Sequence, residues 1–150
     1  GLLTPPNMGI YNVSKHAVVS LTETLYQDLR LVSDQVSASV LCPYFVPTGI
    51  SQSHRNRPGD MATEKPTRSQ LIGQAMSDKA VSSGKVTAAE VAAMVFDAIQ
   101  ADRFYIFSHP RALGNVRARM EGIVNATNPA DPFLERPEIG EQLRAALRKA

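Results

Sequence analysis

The stretch Gly9-Ile10-Tyr11-Asn12-Val13-Ser14-Lys15-His16-Ala17 opens a long run in which apolar residues recur at intervals of three and four. These residues form one stripe: Val18, Leu21, Leu25, Leu29 and Val32. The periodicity predicts a single helix from about Ile10 to Val32. Because Tyr11 and Lys15 are four residues apart, this helix would carry the phenol and the ammonium on one face.

A tyrosine and a lysine at this spacing can perform acid/base chemistry. The phenol of an unperturbed tyrosine has a pKa of about 10, which is too high for proton transfer near neutral pH. A neighbouring ammonium stabilises the phenolate and so lowers that pKa toward the working range. The alternative is a surface tyrosine beside a surface lysine, since a chain of this tyrosine and lysine content would contain such a pair by chance about 13% of the time.

Downstream of this helix the sequence alternates between strand and helix patterns. Val36–Cys42 predicts a buried strand that Pro43 ends, and Phe104–Phe107 predicts a second strand of aromatic and β-branched residues. Between the two strands, Thr87 and Glu90 match a capping box that would start a further helix.

The rest of the chain predicts two helices and one long polar segment. A helix beginning at Pro110 should turn four residues toward the core: Leu113, Val116, Met120 and Ile123. A last helix is predicted over Pro137–Lys149, with acidic residues early and basic residues late, as the helix dipole favours. Polar residues dominate positions 48–86 apart from a short predicted helix near Ser69–Met76, a composition typical of a mobile functional loop or a linker.

The order of these elements predicts an α/β fold built on a parallel sheet. Two strands make a poor sheet alone, so we expect them to form part of a larger one. The nine glycines are never closer than 8 positions apart. Phosphate-binding loops need a tighter glycine cluster, so residues 1–150 contain neither a dinucleotide fingerprint nor a P-loop.

The helix that carries Tyr11 and Lys15 resembles the active-site helix of the short-chain dehydrogenase/reductase family. The family signature is Tyr-x-x-x-Lys, commonly with Ser before the lysine and Ala two residues after it. The similarity continues into Pro43-Tyr44-Phe45-Val46-Pro47-Thr48-Gly49-Ile50, where the family has Pro-Gly-x-Val-x-Thr closing over the nicotinamide. It is strong over residues 9–50 and looser to about residue 110.

This resemblance implies the C-terminal part of a Rossmann-like, doubly wound parallel sheet that lacks the N-terminal glycine-rich half. Residues 1–150 would then be one partial domain. Its four parts would be an active-site helix at 10–32, a strand and cofactor loop at 36–50, a substrate lid at 51–86, and C-terminal helices with the last strand at 87–150.

The resemblance also implies a role for each matching residue. Tyr11 would be the catalytic acid/base, and Lys15 would lower the tyrosine pKa and bind the nicotinamide ribose. Pro43, Val46 and Thr48 would bind the cofactor, with the Val46 backbone on the carboxamide and the Thr48 hydroxyl on the carboxamide or a phosphate. The cofactor would be NAD or NADP, because the residues that choose between them lie elsewhere in this fold.

Two positions depart from the family pattern. Tyr44 stands where the family usually has glycine, so either the backbone avoids positive φ there or the phenol reshapes the nicotinamide end of the pocket. The family's catalytic serine would fall just before Gly1. Tyr44 and Phe45 could line the substrate pocket or simply pack, and their place after the strand's carboxyl end favours the pocket.

Composition and spacing exclude several other classes of protein. A net charge of +2 argues against a dedicated nucleic-acid binder, and no apolar run approaches the roughly 20 residues that span a membrane. The single cysteine, Cys42, excludes a disulfide framework and indicates a reducing, cytoplasmic compartment. The three histidines, at positions 16, 54 and 109, lack metal-ligand spacing, so no metal site is predicted.

Three functional hypotheses follow. The first is an oxidoreductase that transfers a hydride between a nicotinamide cofactor and a small carbonyl or alcohol substrate, inactive as this chain alone. The second is a catalytically inactive fragment of the same fold acting as a structural or self-association module. The third is an unrelated binding domain in which Tyr-x-x-x-Lys is a coincidence. Family oligomers use the Tyr/Lys helix, and the outer residues Val19 and Tyr26 would allow a homo-oligomer here.

Overall fold

A computed structural model describes residues 1–61 and 65–148 of the chain. The α-helices are α1 (Gly9–Val32), α2 (Arg68–Ser82), α3 (Ala88–Gln100), α4 (Leu113–Val124) and α5 (Pro137–Arg148). The strands are β1 (Val40–Cys42) and β2 (Tyr105–Phe107). Short 3-10 helices span Gly49–Asn56, Gly59–Met61 and Pro110–Ala112.

The two strands pair in parallel, which confirms the predicted α/β arrangement. Val40 lies opposite Tyr105, and Cys42 lies opposite Phe107. The prediction of a strand over Val36–Cys42 is too long, because β2 has three residues and can pair with only three of β1. The parallel pairing brings the chain out of both strands at one edge of the sheet, after Cys42 and after Phe107.

Helix α1 packs on the sheet through a face that the sequence pattern did not single out. Val19 is buried, and the Tyr26 ring meets the Phe104 ring edge-on at 4.9 Å. The expectation that Val19 and Tyr26 lie on the outer face is therefore wrong. Two members of the apolar stripe instead face solvent, with Val18 52% and Leu21 71% exposed. Helix α1 is thus apolar on two faces, and within residues 1–61 and 65–148 its contacts with residues 104 and 105 lie on one of them.

Helix α3 contacts β2, and the predicted capping box starts it. The Thr87 hydroxyl accepts a bond from the Glu90 N–H, and the Glu90 carboxylate accepts one from the Thr87 N–H. The Thr87 hydroxyl also donates to the Glu90 carboxylate, and these two bonds from Thr87 to the charged form hold the pKa of Glu90 below its usual range. Ala98 of α3 and Ile106 of β2 are both buried.

Helix α4 does not bury the face predicted for it. Met120 is 41% and Ile123 59% exposed, and no residue of this fully described helix is buried. The expectation that Leu113, Val116, Met120 and Ile123 face a core is therefore wrong for Met120 and Ile123, while Leu113 and Val116 are half-buried. Among residues 1–61 and 65–148, the main contact of α4 is with the 3-10 turn just before it.

Candidate active site

The first two turns of α1 bring together the two side chains on which the sequence argument rests. The Lys15 Nζ atom lies over the Tyr11 ring, 5.4 Å from its centre. Both side chains are exposed, so the phenol and the ammonium can reach a bound molecule. A cation above an aromatic face is attracted by the ring, which keeps the two groups adjacent. The structure thus brings Tyr11 and Lys15 together as the helical spacing predicts.

The polar residues between and beside them serve the helix itself. The Ser14 hydroxyl donates a 2.7 Å bond to the Tyr11 carbonyl, so it is engaged within α1. The His16 Nδ1 atom lies 2.9 Å from the Asn12 carbonyl, and the Asn12 side chain donates to the Pro5 carbonyl at 2.9 Å. The Asn12 bond ties the segment before α1 to the helix. Among the described residues, the buried His16 Nε2 atom has no hydrogen-bond partner.

The segment after β1, residues 43–48, offers unpaired polar groups. The Val46 peptide N–H and C=O form no hydrogen bond within residues 1–61 and 65–148. Thr48 occupies the N-cap position of the 3-10 helix Gly49–Asn56, with extended backbone, but its hydroxyl makes no cap bond. A peptide group and a hydroxyl without partners suit a carboxamide or a phosphate, so these donors and acceptors fit the nicotinamide end of a cofactor.

The structure shows the first of the two alternatives left open at Tyr44, a backbone that avoids positive φ. Within the described residues, positive φ occurs only at Asn7, Asp102 and Ala126, so the backbone at Tyr44 avoids the conformation that would need glycine. The phenol ring packs at 4.4 Å on the Phe45 ring. Both rings are more than a third exposed and stand just beyond the sheet edge.

Two further residues, Ser108 and His109, meet this segment just after β2, and neither is predicted from the sequence as part of the site. The Ser108 hydroxyl accepts a 3.0 Å bond from the Tyr44 N–H, and it lies 2.8 Å from the His109 Nδ1 atom. The imidazole also meets the Tyr44 ring edge-on at 5.6 Å. The signal was present, because parallel strands end at one edge and Ser108 directly follows the second strand.

The described parts of the polar segment, 51–61 and 65–86, are more structured than predicted and contact residues near α1 and β1. Helix α2 extends well beyond the predicted Ser69–Met76. The Ser69 hydroxyl donates to the Asn7 side chain at 3.2 Å, just before α1. A Cβ at Gly84 would lie 2.5 Å from the Phe45 carbonyl oxygen, so this glycine permits close contact with the 43–48 segment.

An open cleft of about 1050 Å³ separates α2 from the turns at 53–61. Asn7 contributes to its wall, together with mixed polar and apolar residues that include His54, Met61 and Leu71. Tyr11 and Lys15 are not among its lining residues. The cleft therefore adjoins the start of α1 through Asn7, four residues before Tyr11.

The remaining candidate groups carry no chemistry of their own. Burial raises the pKa of the Cys42 thiol, which disfavours the reactive thiolate. Across residues 1–61 and 65–148, no three His, Cys, Asp or Glu side chains group closely enough to hold a metal ion. No helix in the same part of the chain is long and apolar enough to cross a membrane.

Comparison with known proteins gave two matches, and no protein-family model matches the chain. Over 133 residues the chain is 32% identical to the "CLA biosynthesis dehydrogenase/reductase" of Lactiplantibacillus plantarum, covering 86% of this chain and 46% of that protein. The fold matches the crystal structure of a short-chain dehydrogenase/reductase from Burkholderia phymatum in complex with NAD, with a TM-score of 0.85 and 55% identity. That match covers 87% of this chain and 47% of the other. The chain spans about half the length of the proteins it matches.

Proposed function

We propose that this chain, which belongs to the short-chain dehydrogenase/reductase family and has its Rossmann-like α/β fold, carries the acid/base machinery of an NAD(P)-dependent oxidoreductase. The reaction would move a hydride between the nicotinamide and a small carbonyl or alcohol substrate. The observation that carries the proposal is the exposed Tyr11–Lys15 pair, with the ammonium 5.4 Å from the phenol ring centre.

Tyr11 would transfer the proton in this reaction. In carbonyl reduction, its phenol donates a proton to the substrate oxygen while the carbon receives the hydride. In alcohol oxidation, the phenolate takes the hydroxyl proton as the hydride leaves the carbon. Under this proposal the Lys15 ammonium would assist in both directions, because a positive charge beside a phenol favours its ionised form. The cofactor, when bound, supplies or accepts the hydride.

Lys15, Pro43, Val46 and Thr48 would hold the nicotinamide end of the cofactor. Lys15 would bind the ribose hydroxyls, and the unpartnered Val46 peptide would bind the carboxamide. The Thr48 hydroxyl makes no cap bond and would bind the carboxamide or a phosphate. The NAD in the similar crystal structure supports a nicotinamide cofactor of either kind, NAD or NADP.

The substrate would lie between the rings after β1 and the segment 51–86. Tyr44 and Phe45 are exposed at the carboxyl edge of the sheet, where α/β sheets bind ligands. The segment 51–86 would act as the lid, since it contacts Asn7 on one side and Phe45 on the other. A lid of this kind excludes water while hydride and proton are transferred.

The chain alone would be inactive under this proposal, because its 150 residues hold no glycine-rich phosphate loop. The single cysteine and the near-neutral charge support a cytoplasmic protein without nucleic-acid or membrane partners. The exposed apolar face of α1 supports assembly with another polypeptide surface, a homo-oligomer included.

That same exposed face favours one alternative function, in which this part of the fold acts as a structural or self-association module without turnover. The two functions differ in what Lys15→Ala does to the longer protein that contains these residues. As an oxidoreductase, the variant should lose both turnover and NAD(P) affinity in a cofactor titration. As a module without turnover, it should change neither, because nothing else in the described part of the chain depends on the ammonium.

A further inference from the structure

Ser108 and His109 leave β2 at the edge of the sheet where the cofactor segment 43–48 leaves β1. Cys42 and Phe107 are paired partners, so Pro43 and Ser108 each follow the last pair of the ladder. Pro43 has no N–H, which makes the Tyr44 N–H the first backbone donor beyond β1. That donor has left the sheet and needs an acceptor from a side chain or from solvent.

Ser108 supplies the acceptor from a buried position. Ser108 is 2% exposed, and its hydroxyl accepts a hydrogen bond from the Tyr44 N–H at 3.0 Å. The same hydroxyl lies 2.8 Å from the His109 Nδ1 atom. A serine hydroxyl has one proton and two lone pairs, so it can accept from Tyr44 and donate to a neutral imidazole at once.

This proton assignment completes a chain of hydrogen bonds. The Tyr44 N–H donates to Ser108, and Ser108 donates to the His109 Nδ1 atom, which leaves the imidazole proton on Nε2. A residue as buried as Ser108 has little access to water, so its hydroxyl proton needs this imidazole acceptor. The imidazole also contacts the Tyr44 ring. His109 is therefore linked to the Tyr44 N–H through Ser108 and touches the Tyr44 ring directly.

The opposite side of the segment is held by close packing. A Cβ at Gly84 would lie 2.5 Å from the Phe45 carbonyl oxygen and 2.9 Å from the Pro47 ring. Residues 44–47 are therefore fixed between a hydrogen-bond relay and a glycine contact. The Val46 peptide, without a described partner of its own, takes its orientation from these flanking contacts.

We propose that Ser108 and His109 are positioning residues for the nicotinamide segment, holding the Tyr44 peptide so that the Val46 peptide is oriented toward the carboxamide. The inference rests on the proposed function, because it concerns the same cofactor site. Neither residue touches the reacting atoms. Their effect should appear in cofactor affinity and in the rigidity of residues 43–48, more than in the rate of the chemical step.

The test uses the longer protein that contains these residues, with hydrogen exchange at residues 43–48 and NAD⁺ and NADP⁺ affinity measured separately. Ser108→Ala and His109→Phe should speed exchange of the Tyr44 amide and weaken cofactor binding about fivefold or more, the effect of about one lost hydrogen bond. His109→Asn should restore both, because its side-chain oxygen can accept from Ser108 near the position of Nδ1. His109→Phe keeps an aromatic ring beside Tyr44 but removes the nitrogen that bonds Ser108. It therefore distinguishes loss of the hydrogen bond from loss of ring packing.

Ser39→Ala is the matched control, because the Ser39 hydroxyl bonds the Arg103 carbonyl at 3.0 Å across the other end of the same strand pair. It should leave the exchange of Tyr44 and the cofactor affinity unchanged. Unchanged exchange in Ser108→Ala, or His109→Asn behaving as His109→Phe does, would overturn the inference. If the unmodified protein bound neither NAD⁺ nor NADP⁺, the proposed function would fail, while the exchange data would still decide whether the relay positions Tyr44.

Discussion

The Tyr105 hydroxyl donates a 2.5 Å hydrogen bond to the Glu23 carboxylate, joining β2 to the middle of α1 across 82 residues of chain. Through this bond the helix that carries Tyr11 and Lys15 is fixed on the sheet whose edge leads into residues 43–48. The bond also raises the pKa of the Tyr105 phenol, because it favours the protonated form that donates.

Tyr105→Phe should lower the free energy of unfolding by about 1 kcal/mol at neutral pH, a value reduced by the partial exposure of the pair. Since the folded pKa is raised, the phenol's contribution is fully present below the unfolded value of about 10 and is lost as pH rises through the folded value. The free energies of unfolding of Tyr105→Phe and the unmodified protein, measured by chemical denaturation, should therefore differ less at pH 11 than at pH 7. Ser39→Ala is the control, because its hydroxyl also bonds across the strand pair but does not ionise in this range, so its effect should be the same at both pH values.

Glu90→Gln should remove the acid sensitivity of the first turn of α3. The folded pKa of Glu90 is lowered, so its stabilising effect is present above the unfolded value of about 4.3 and is lost as pH falls through the folded value. The glutamine side chain would keep the bond to the Thr87 N–H without a charge to titrate. The measurement is the hydrogen-exchange rate of the Val91 amide between pH 6 and pH 3, corrected for the intrinsic pH dependence of exchange. As the pH falls, this corrected rate should rise more in the unmodified protein than in Glu90→Gln. Equal profiles would contradict this account of the cap.

Gly84→Ala should destabilise the fold by about 1–3 kcal/mol and disturb residues 45–47. The added Cβ would meet backbone at Phe45, 2.5 Å away, and backbone cannot move aside as a flexible side chain can. Gly114→Ala, in the first turn of α4, is the matched control, because nothing lies within 4 Å of its Cβ and the variant should not lose stability. Thermal unfolding of both variants checks the pair. A neutral Gly84→Ala would show that the segments do not pack this closely.

The surface of the chain predicts its behaviour in isolation. Its accessible area is 11636 Å², against about 7500 Å² for a folded monomer of this mass. The excess includes the α1 residues Ile10, Val18 and Leu21. The isolated 150-residue chain should bind a hydrophobic dye strongly, and the longer protein should bind it about as weakly as an ordinary globular domain. Weak dye binding by the isolated, folded chain would contradict the exposure of this face.

Much of the fold followed from local signals in the sequence. The apolar period located α1 to within one residue at its start, and the Thr87/Glu90 pair located the start of α3. What failed was the assignment of faces. The face of α1 that packs on the sheet contains Val19, Glu23 and Tyr26, of which one is charged, so a count of apolar residues favoured the other face.

The site was predicted unevenly for a similar reason. Tyr11, Lys15 and residues 43–48 could be proposed from the sequence because motif and spacing are local properties. Ser108 and His109 meet Tyr44 from 64 and 65 positions away, and only the register of β1 against β2 brings them there. Residue-by-residue reading could not supply that register, although the parallel order of the strands could have directed attention to both strand ends.

The most direct test of the central claim is steady-state turnover of Tyr11→Phe in the longer protein, with cofactor affinity measured on the same preparation. We predict that kcat falls by about 10²- to 10⁴-fold, because the variant loses the proton that the substrate oxygen must gain or give. Cofactor affinity should stay nearly unchanged, since the assigned cofactor contacts come from other residues. A Tyr11→Phe variant with near-normal turnover would contradict the claim that Tyr11 is the acid/base.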